Sequence, residues 1–134
     1  MLIKAFTKIL ILINKRQKMK ELIHKIPGTA MFKFMAEFRK LDNEIQAQTV
    51  QTFLAIAMNK NDKVPMADLS DLLGVSQASC SRNVAFFTDW TRKKVKGPNL
   101  LGSKEDPMER RRKLVYLTPK GKQFYNSLEN IWVN

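Results

Sequence analysis

The side chains that do most covalent and metal chemistry are scarce in this chain. It holds one cysteine, Cys80, and one histidine, His24. A disulfide framework and a Cys/His zinc site both need more than that. Cys–His or Ser–His–Asp catalysis would rest on His24 alone, which sits in a lysine-rich stretch. No carboxylate pair, phosphate-binding glycine loop or nucleophile constellation stands out, so no catalytic residue, metal or cofactor is expected. Cys80 reads as a small packed residue, because no acidifying partner or second cysteine accompanies it. The chemistry left is reversible binding through charge and hydrogen bonds.

Two clusters suit that chemistry. Ser76-Gln77-Ala78-Ser79 and Ser81-Arg82-Asn83 surround Cys80. Short side chains let a backbone lie close to the edges of bases, while Gln77, Arg82 and Asn83 carry paired donors and acceptors that match them. The second cluster is Arg110-Arg111-Arg112-Lys113, four cations in succession.

The chain has 134 residues and a formal net charge of +12. That excess points to a polyanion, with nucleic acid ahead of an anionic membrane surface. Residues 1–40 carry a net +8, residues 41–90 a net −3 and residues 91–122 again +8. Segregation of this kind is expected where separate elements touch a polyanion rather than where lysines only confer solubility. With 44% hydrophobic and 27% charged residues the composition is globular. Only five glycines and five prolines are present, which disfavours a protein built from many tight β-turns.

The elements that must position the two clusters follow from periodicity. Leu2, Ala5, Ile9, Leu12, Arg16, Met19, Ile23 and Ile26 alternate in steps of three and four, a heptad seam on a helix of about Leu2 to Lys25. Arg16 is its one violation. So much apolar surface has to be buried on its own domain or on a second copy. Pro27-Gly28 should end this helix. A second helix is expected over Thr29–Leu41, with Met31, Phe34, Met35, Phe38 and Leu41 as its stripe. A third should follow Asp42-Asn43, carry Ile45, Thr49, Phe53, Ile56 and Ala57 on one side, and run out at residues 59–63.

Pro65 is expected to open a short helix with Leu69, Leu72 and Leu73 buried and Ser70 at a close crossing. Gly74 supplies a left-handed turn, Val75 a buried link, and Ser76 the N-cap of a helix over Gln77–Trp90. That longer helix has Val84, Phe87 and Trp90 on its apolar face. Short helix, glycine turn, longer helix is the helix-turn-helix pattern. A basic connector, Arg92–Lys96, and a loop at Gly97-Pro98-Asn99 lead to a strand at residues 100–103, then a polar tip, then a return strand at residues 113–117. A hairpin tipped by three arginines directly after a helix-turn-helix is a winged helix. Thr118 caps a final helix with Pro119 at its first position and Phe124, Leu128 and Ile131 at helical spacing. The expected fold is mainly α with a small β-hairpin: a winged helix-turn-helix with an extended N-terminal helix. Residues 1–41 would be basic dimerisation helices and residues 42–134 the DNA-binding domain.

The run Asp106-Pro-Met-Glu-Arg-Arg-Arg-Lys-Leu-Val-Tyr-Leu-Thr-Pro-Lys-Gly121 resembles the wing signature of the MarR family of winged-helix regulators. Leu69 to Val84 resembles that family's helix-turn-helix. Residues 42–57, with Glu44-Ile-Gln-Ala-Gln48, are similar to the preceding helix, particularly in versions carried by bacteriophages and prophages. The resemblance spans about residues 42–128, and the wing run is its most specific part. It implies a homodimer on double-stranded DNA, with Ser76 to Arg82 toward the major groove. Asp106 would brace a neighbouring arginine, and Arg110 or Arg111 would reach the minor groove. The last helix is expected to be too short to hold the dimer alone, so the N-terminal helix would share the work.

The alternative in another class is a phage-encoded interaction protein that engages host RNA polymerase or replication machinery. Residues 1–14 contain only one unbroken apolar run, Ile9–Ile13, too short for a secretory core or a membrane span. A cytoplasmic location without a membrane partner is therefore expected.

Overall fold

The chain divides into two units, Met1–Glu37 and Phe38–Asn134. The computed structural model describes residues 2–25, 27–90 and 94–133, with the side chains of 19–25 and 133 outside the description. Met19, Ile23 and Ile26 of the seam, the His24 side chain, and residues 91–93 of the basic connector therefore fall outside the described residues.

In the first unit, helix α1 runs Leu2–Lys25, as the heptad pattern requires, and α2 runs Pro27–Arg39. Pro27 begins the second helix instead of only ending the first. A proline at the first helical position has no N–H to leave unsatisfied and a preset φ, which moves the start two residues ahead of Thr29. Every side chain from Leu2 to Lys18 is exposed. Leu2 is 88%, Ile9 54% and Leu12 59% accessible, so the described part of the seam is exposed. Met31, expected in the α2 stripe, is likewise exposed. No helix among the described residues is long and apolar enough to cross a membrane.

The second unit is built on five phenylalanines. Phe38, in the last turn of α2, meets Phe53 edge-on at 5.7 Å between ring centroids and Phe124 at 5.2 Å. Phe53, fully buried on α3 (Ala47–Ala57), also touches Phe87 at 5.3 Å and Phe124 at 5.4 Å. Phe86 packs edge-on against Phe87. Helix α3 starts later than expected because Asp42 is used in a turn. Its carboxylate accepts the Glu44 N–H at 2.9 Å and its carbonyl accepts the Ile45 N–H.

The sheet has three strands rather than two, in the order β1-β3-β2. Strand β1 is Val64–Pro65, a stretch expected to open a helix. Val64 is buried and pairs with Val115, and Pro65, lacking a donor, is tolerated on the short edge strand. Helix α4 (Met66–Leu73) starts directly after it. Strands β2 (Leu101–Glu105) and β3 (Lys113–Leu117) form the hairpin, in register from Leu101↔Leu117 to Glu105↔Lys113. Helix α6 is Pro119–Val133, and the Thr118 hydroxyl accepts the Gly121 N–H at 3.0 Å as its cap.

Two expectations of burial fail. Leu72 is 70% exposed at the rim of α4, and Trp90 is 64% exposed because its helix stops early. Helix α5 covers Gln77–Phe86 and ends where Phe87 turns inward. The Phe87 carbonyl then accepts the N–H groups of both Leu100 and Leu101. That arrangement ties the end of α5 to the root of the wing, so Trp90 leaves in an excursion closed by a Trp90↔Lys96 bridge.

Candidate nucleic-acid interface

The turn between α4 and α5 forms as its residues dictate. Gly74 has φ 66° and ψ 34°, the left-handed conformation that glycine adopts at least cost. Val75 is half-buried, and its N–H donates to the Ser70 carbonyl. Ser70 is buried, small enough for the helices to cross closely there. The Ser76 hydroxyl accepts the Ser79 N–H at 3.1 Å and so caps α5. Cys80, on the inner side of the same turn, is fully buried with its Sγ 3.9 Å from the Met66 carbonyl. Burial pushes its thiol pKa up, away from the reactive thiolate.

The outward side of α5 carries Gln77, Ala78 and Arg82 exposed, with Ser79 and Ser81 half-buried. Three of these polar groups are joined. The Ser76 hydroxyl donates to Ser79 Oγ at 3.0 Å, and Arg82 Nη2 donates to the same oxygen at 3.1 Å. The chain of hydroxyls holds the guanidinium along the first two turns of the helix, reducing the conformational freedom that it would lose on meeting a ligand.

Asn83 does not share that face. It is 8% exposed, its Oδ1 accepts from the Thr49 hydroxyl at 3.2 Å, and its Nδ2 donates to Gln48 Oε1 at 3.0 Å. The amide grouped with the base-reading residues instead fastens α5 to α3. Nothing in the local pattern announces this, because both partners lie more than thirty residues away. Replacing Asn83 with alanine would leave the Thr49 hydroxyl and the Gln48 carboxamide short of a partner. A loss of about 1–3 kcal/mol in urea unfolding is expected.

Across from α5, the hairpin tip is shaped by Asp106. Its Oδ1 accepts the Met108 N–H at 2.9 Å, and its N–H donates to the Arg112 carbonyl at 2.8 Å. Asp106 thus braces the tip through backbone groups. Arg110, Arg111, Arg112 and Lys113 are all exposed. A cleft of about 620 Å³ separates the two clusters, with Gln77 and Ser81 on one wall and Arg111, Arg112 and Lys113 on the other. Asp68 and Glu109 line it too. Asp68 reads from the sequence as a first-turn carboxylate of α4 and Glu109 as part of the wing run, and in the cleft both would repel phosphates that come too deep.

No protein-family model and no curated protein matches the chain in sequence. Solved structures do match in shape. A MepR mutant of S. aureus, described as bound to an oligodeoxyribonucleotide, superposes with TM-score 0.62 at 20% identity, over 85% of this chain and 75% of that one. The fold is a winged helix, mainly helical with a small three-stranded sheet. The PcaV transcriptional regulator of Streptomyces coelicolor matches with TM-score 0.54 at 14% identity, over 78% and 71% of the two chains. NadR, described in complex with 4-hydroxyphenylacetate, matches with TM-score 0.57 at 15% identity, over 92% and 71%.

Proposed function

We propose that this chain is a non-enzymatic, sequence-specific regulator of transcription that binds double-stranded DNA as a homodimer in the cytoplasm. One observation carries the reading. Gln77 and Ser81 of α5 line one cleft with Arg111, Arg112 and Lys113 of the wing, in a chain of net charge +12. An α-helix fits the major groove, where Gln77 and Arg82 have the paired donors that bases require. Phosphate and minor-groove contacts fall to Arg110 and Arg111, and Lys113 adds charge at the wing root. The likeness in fold to a protein described on an oligodeoxyribonucleotide supports the same partner here. The exposed α1 seam supports the homodimer, since a contiguous apolar face of that length favours association.

Selection from a random duplex pool, followed by affinity measurements across a salt series, tests the proposal. An enriched palindrome is expected. Arg110→Ala/Arg111→Ala should weaken all duplexes alike and reduce the salt slope by about one unit for each phosphate that is no longer neutralised. Gln77→Ala/Arg82→Ala should instead remove about 1–3 kcal/mol of preference per base read and leave weak general binding. If no sequence is enriched and neither variant changes binding, the DNA reading fails and the interaction protein engaging host machinery takes its place.

A further inference from the structure

The sheet divides the second unit into two sides. On one, Val64, Leu101 and Val115 enter the core and Lys113 lines the cleft facing α5. Side chains alternate along a strand, so Gly102, Lys104, Leu114 and Tyr116 face the opposite way, with Lys63 and Pro65 continuing the same face beside β1. Tyr116 lies directly over Gly102, where a Cβ would come within 2.6 Å of its ring. The ring thus occupies the middle of this outer face, paired across the strands with a residue that has no side chain of its own.

Lys63 and Lys122 line a hollow with it, and a third lysine, Lys104, meets Lys63 across the sheet. A side-chain hydrogen bond with Lys63, followed by the repulsion of its like charge, lowers the Lys104 pKa from the ordinary lysine value. Both side chains are exposed. The hollow, of about 380 Å³, is walled by Lys63, Tyr116 and Lys122 and backed by the apolar side chains of Ile56, Ala57 and Leu117. Like charges gathered on one small face repel each other until an anion sits between them. We propose that the surface beside Tyr116, where Lys63 and Lys122 line the hollow and Lys104 reaches Lys63, docks an acidic segment of a partner protein.

Two features favour a peptide over a second stretch of nucleic acid. Asp62 stands in the same wall as Lys63 and opposes a continuous track of phosphates, whereas a peptide can present its carboxylates singly and avoid it. The aliphatic back of the hollow also suits one apolar side chain set among carboxylates. The hollow and the cleft share no lining residue, so the proposal does not depend on the DNA reading.

The probe is a fluorescein-labelled ten-residue peptide of Glu and Asp with one central Leu, added to the full chain and followed by anisotropy. Lys63→Ser/Lys104→Ser/Lys122→Ser should raise its Kd about tenfold, the scale expected for removing three exposed ion pairs. Arg110→Ala/Arg111→Ala should leave peptide binding within about twofold, since those pairs are not on this face. Amide shifts on adding the peptide should concentrate at Gly102, Lys104 and Tyr116. Equal peptide affinity in the triple variant, or shifts confined to α5 and the wing tip, would overturn the assignment. A triple variant that loses duplex affinity while keeping the peptide would place the patch in the nucleic-acid surface and equally overturn it.

Discussion

Phe53→Ala should lower the free energy of unfolding by about 3–5 kcal/mol, the range for removing a large aromatic from a packed interior. The upper part of that range is expected. Phe53 is fully buried and touches three other rings, Phe38, Phe87 and Phe124, which come from α2, the end of α5 and α6. Those rings hold one another at edge-on or tilted angles, and such pairs add about 0.5–1.5 kcal/mol beyond the area they bury. Three elements would have to shift together to fill the vacancy, so little of the loss should be recovered by collapse. Urea unfolding with an unchanged slope would report it. A loss below about 1 kcal/mol, on the scale of a surface substitution, would show that the aromatic cluster is not the keystone of the second unit.

The second large effect concerns assembly. Ile9→Glu/Leu12→Glu places two charges on the exposed seam of α1 without disturbing the helix, since glutamate is a good helix former. Both native side chains are more than half accessible in the single chain, so packing within that chain is untouched. If the seam joins two copies, the substitution buries four unpaired carboxylates in an isologous interface, two from each copy. Sedimentation should then show monomers at micromolar concentration. DNA affinity should fall by about 10²–10⁴-fold, because two linked readers owe that much to their connection. A variant that stays dimeric would put the interface elsewhere. Arg16, exposed in the same line, is the native precedent for a charge there.

These outcomes depend on parts of the molecule that were legible to different degrees. Gly74, Ser76, Thr118 and Pro119 announce their roles because a left-handed turn, two N-caps and a helix start are decided within a few residues. The wing hairpin was equally readable from the alternation at residues 113–117. Strand β1 was not, since two residues carry no period and Val64 becomes a strand only by meeting Val115. Trp90 has helical spacing from Val84 and Phe87, yet the Phe87 carbonyl is claimed by Leu100 and Leu101 from beyond the excursion. Asn83 looks like its polar neighbours on α5 until Gln48 and Thr49 are brought beneath it. Asp68 is legible as a first-turn carboxylate and Glu109 as part of the wing run, but only the placement of wing against helix brings them into one cleft. Local chemistry was readable. Partnerships across the chain were not.

The close approach at Gly121 bears on how this chain can diverge. A Cβ there would collide with the Leu100 carbonyl, which also accepts the Thr118 N–H at 3.1 Å. The root of the wing and the first turn of α6 are therefore one joint, with no room for a side chain and no slack between Leu117 and Gly121. Insertions and larger residues should be purged from this joint. The excursion after Trp90 is the opposite case. The Gly97 N–H donates to the Asp89 carbonyl at 2.7 Å, closing the neck of the excursion, so what lies beyond can lengthen or shorten without moving α5 or the wing. Lineages of this protein should accordingly vary in length between Trp90 and Lys96 and remain uniform between Leu117 and Gly121.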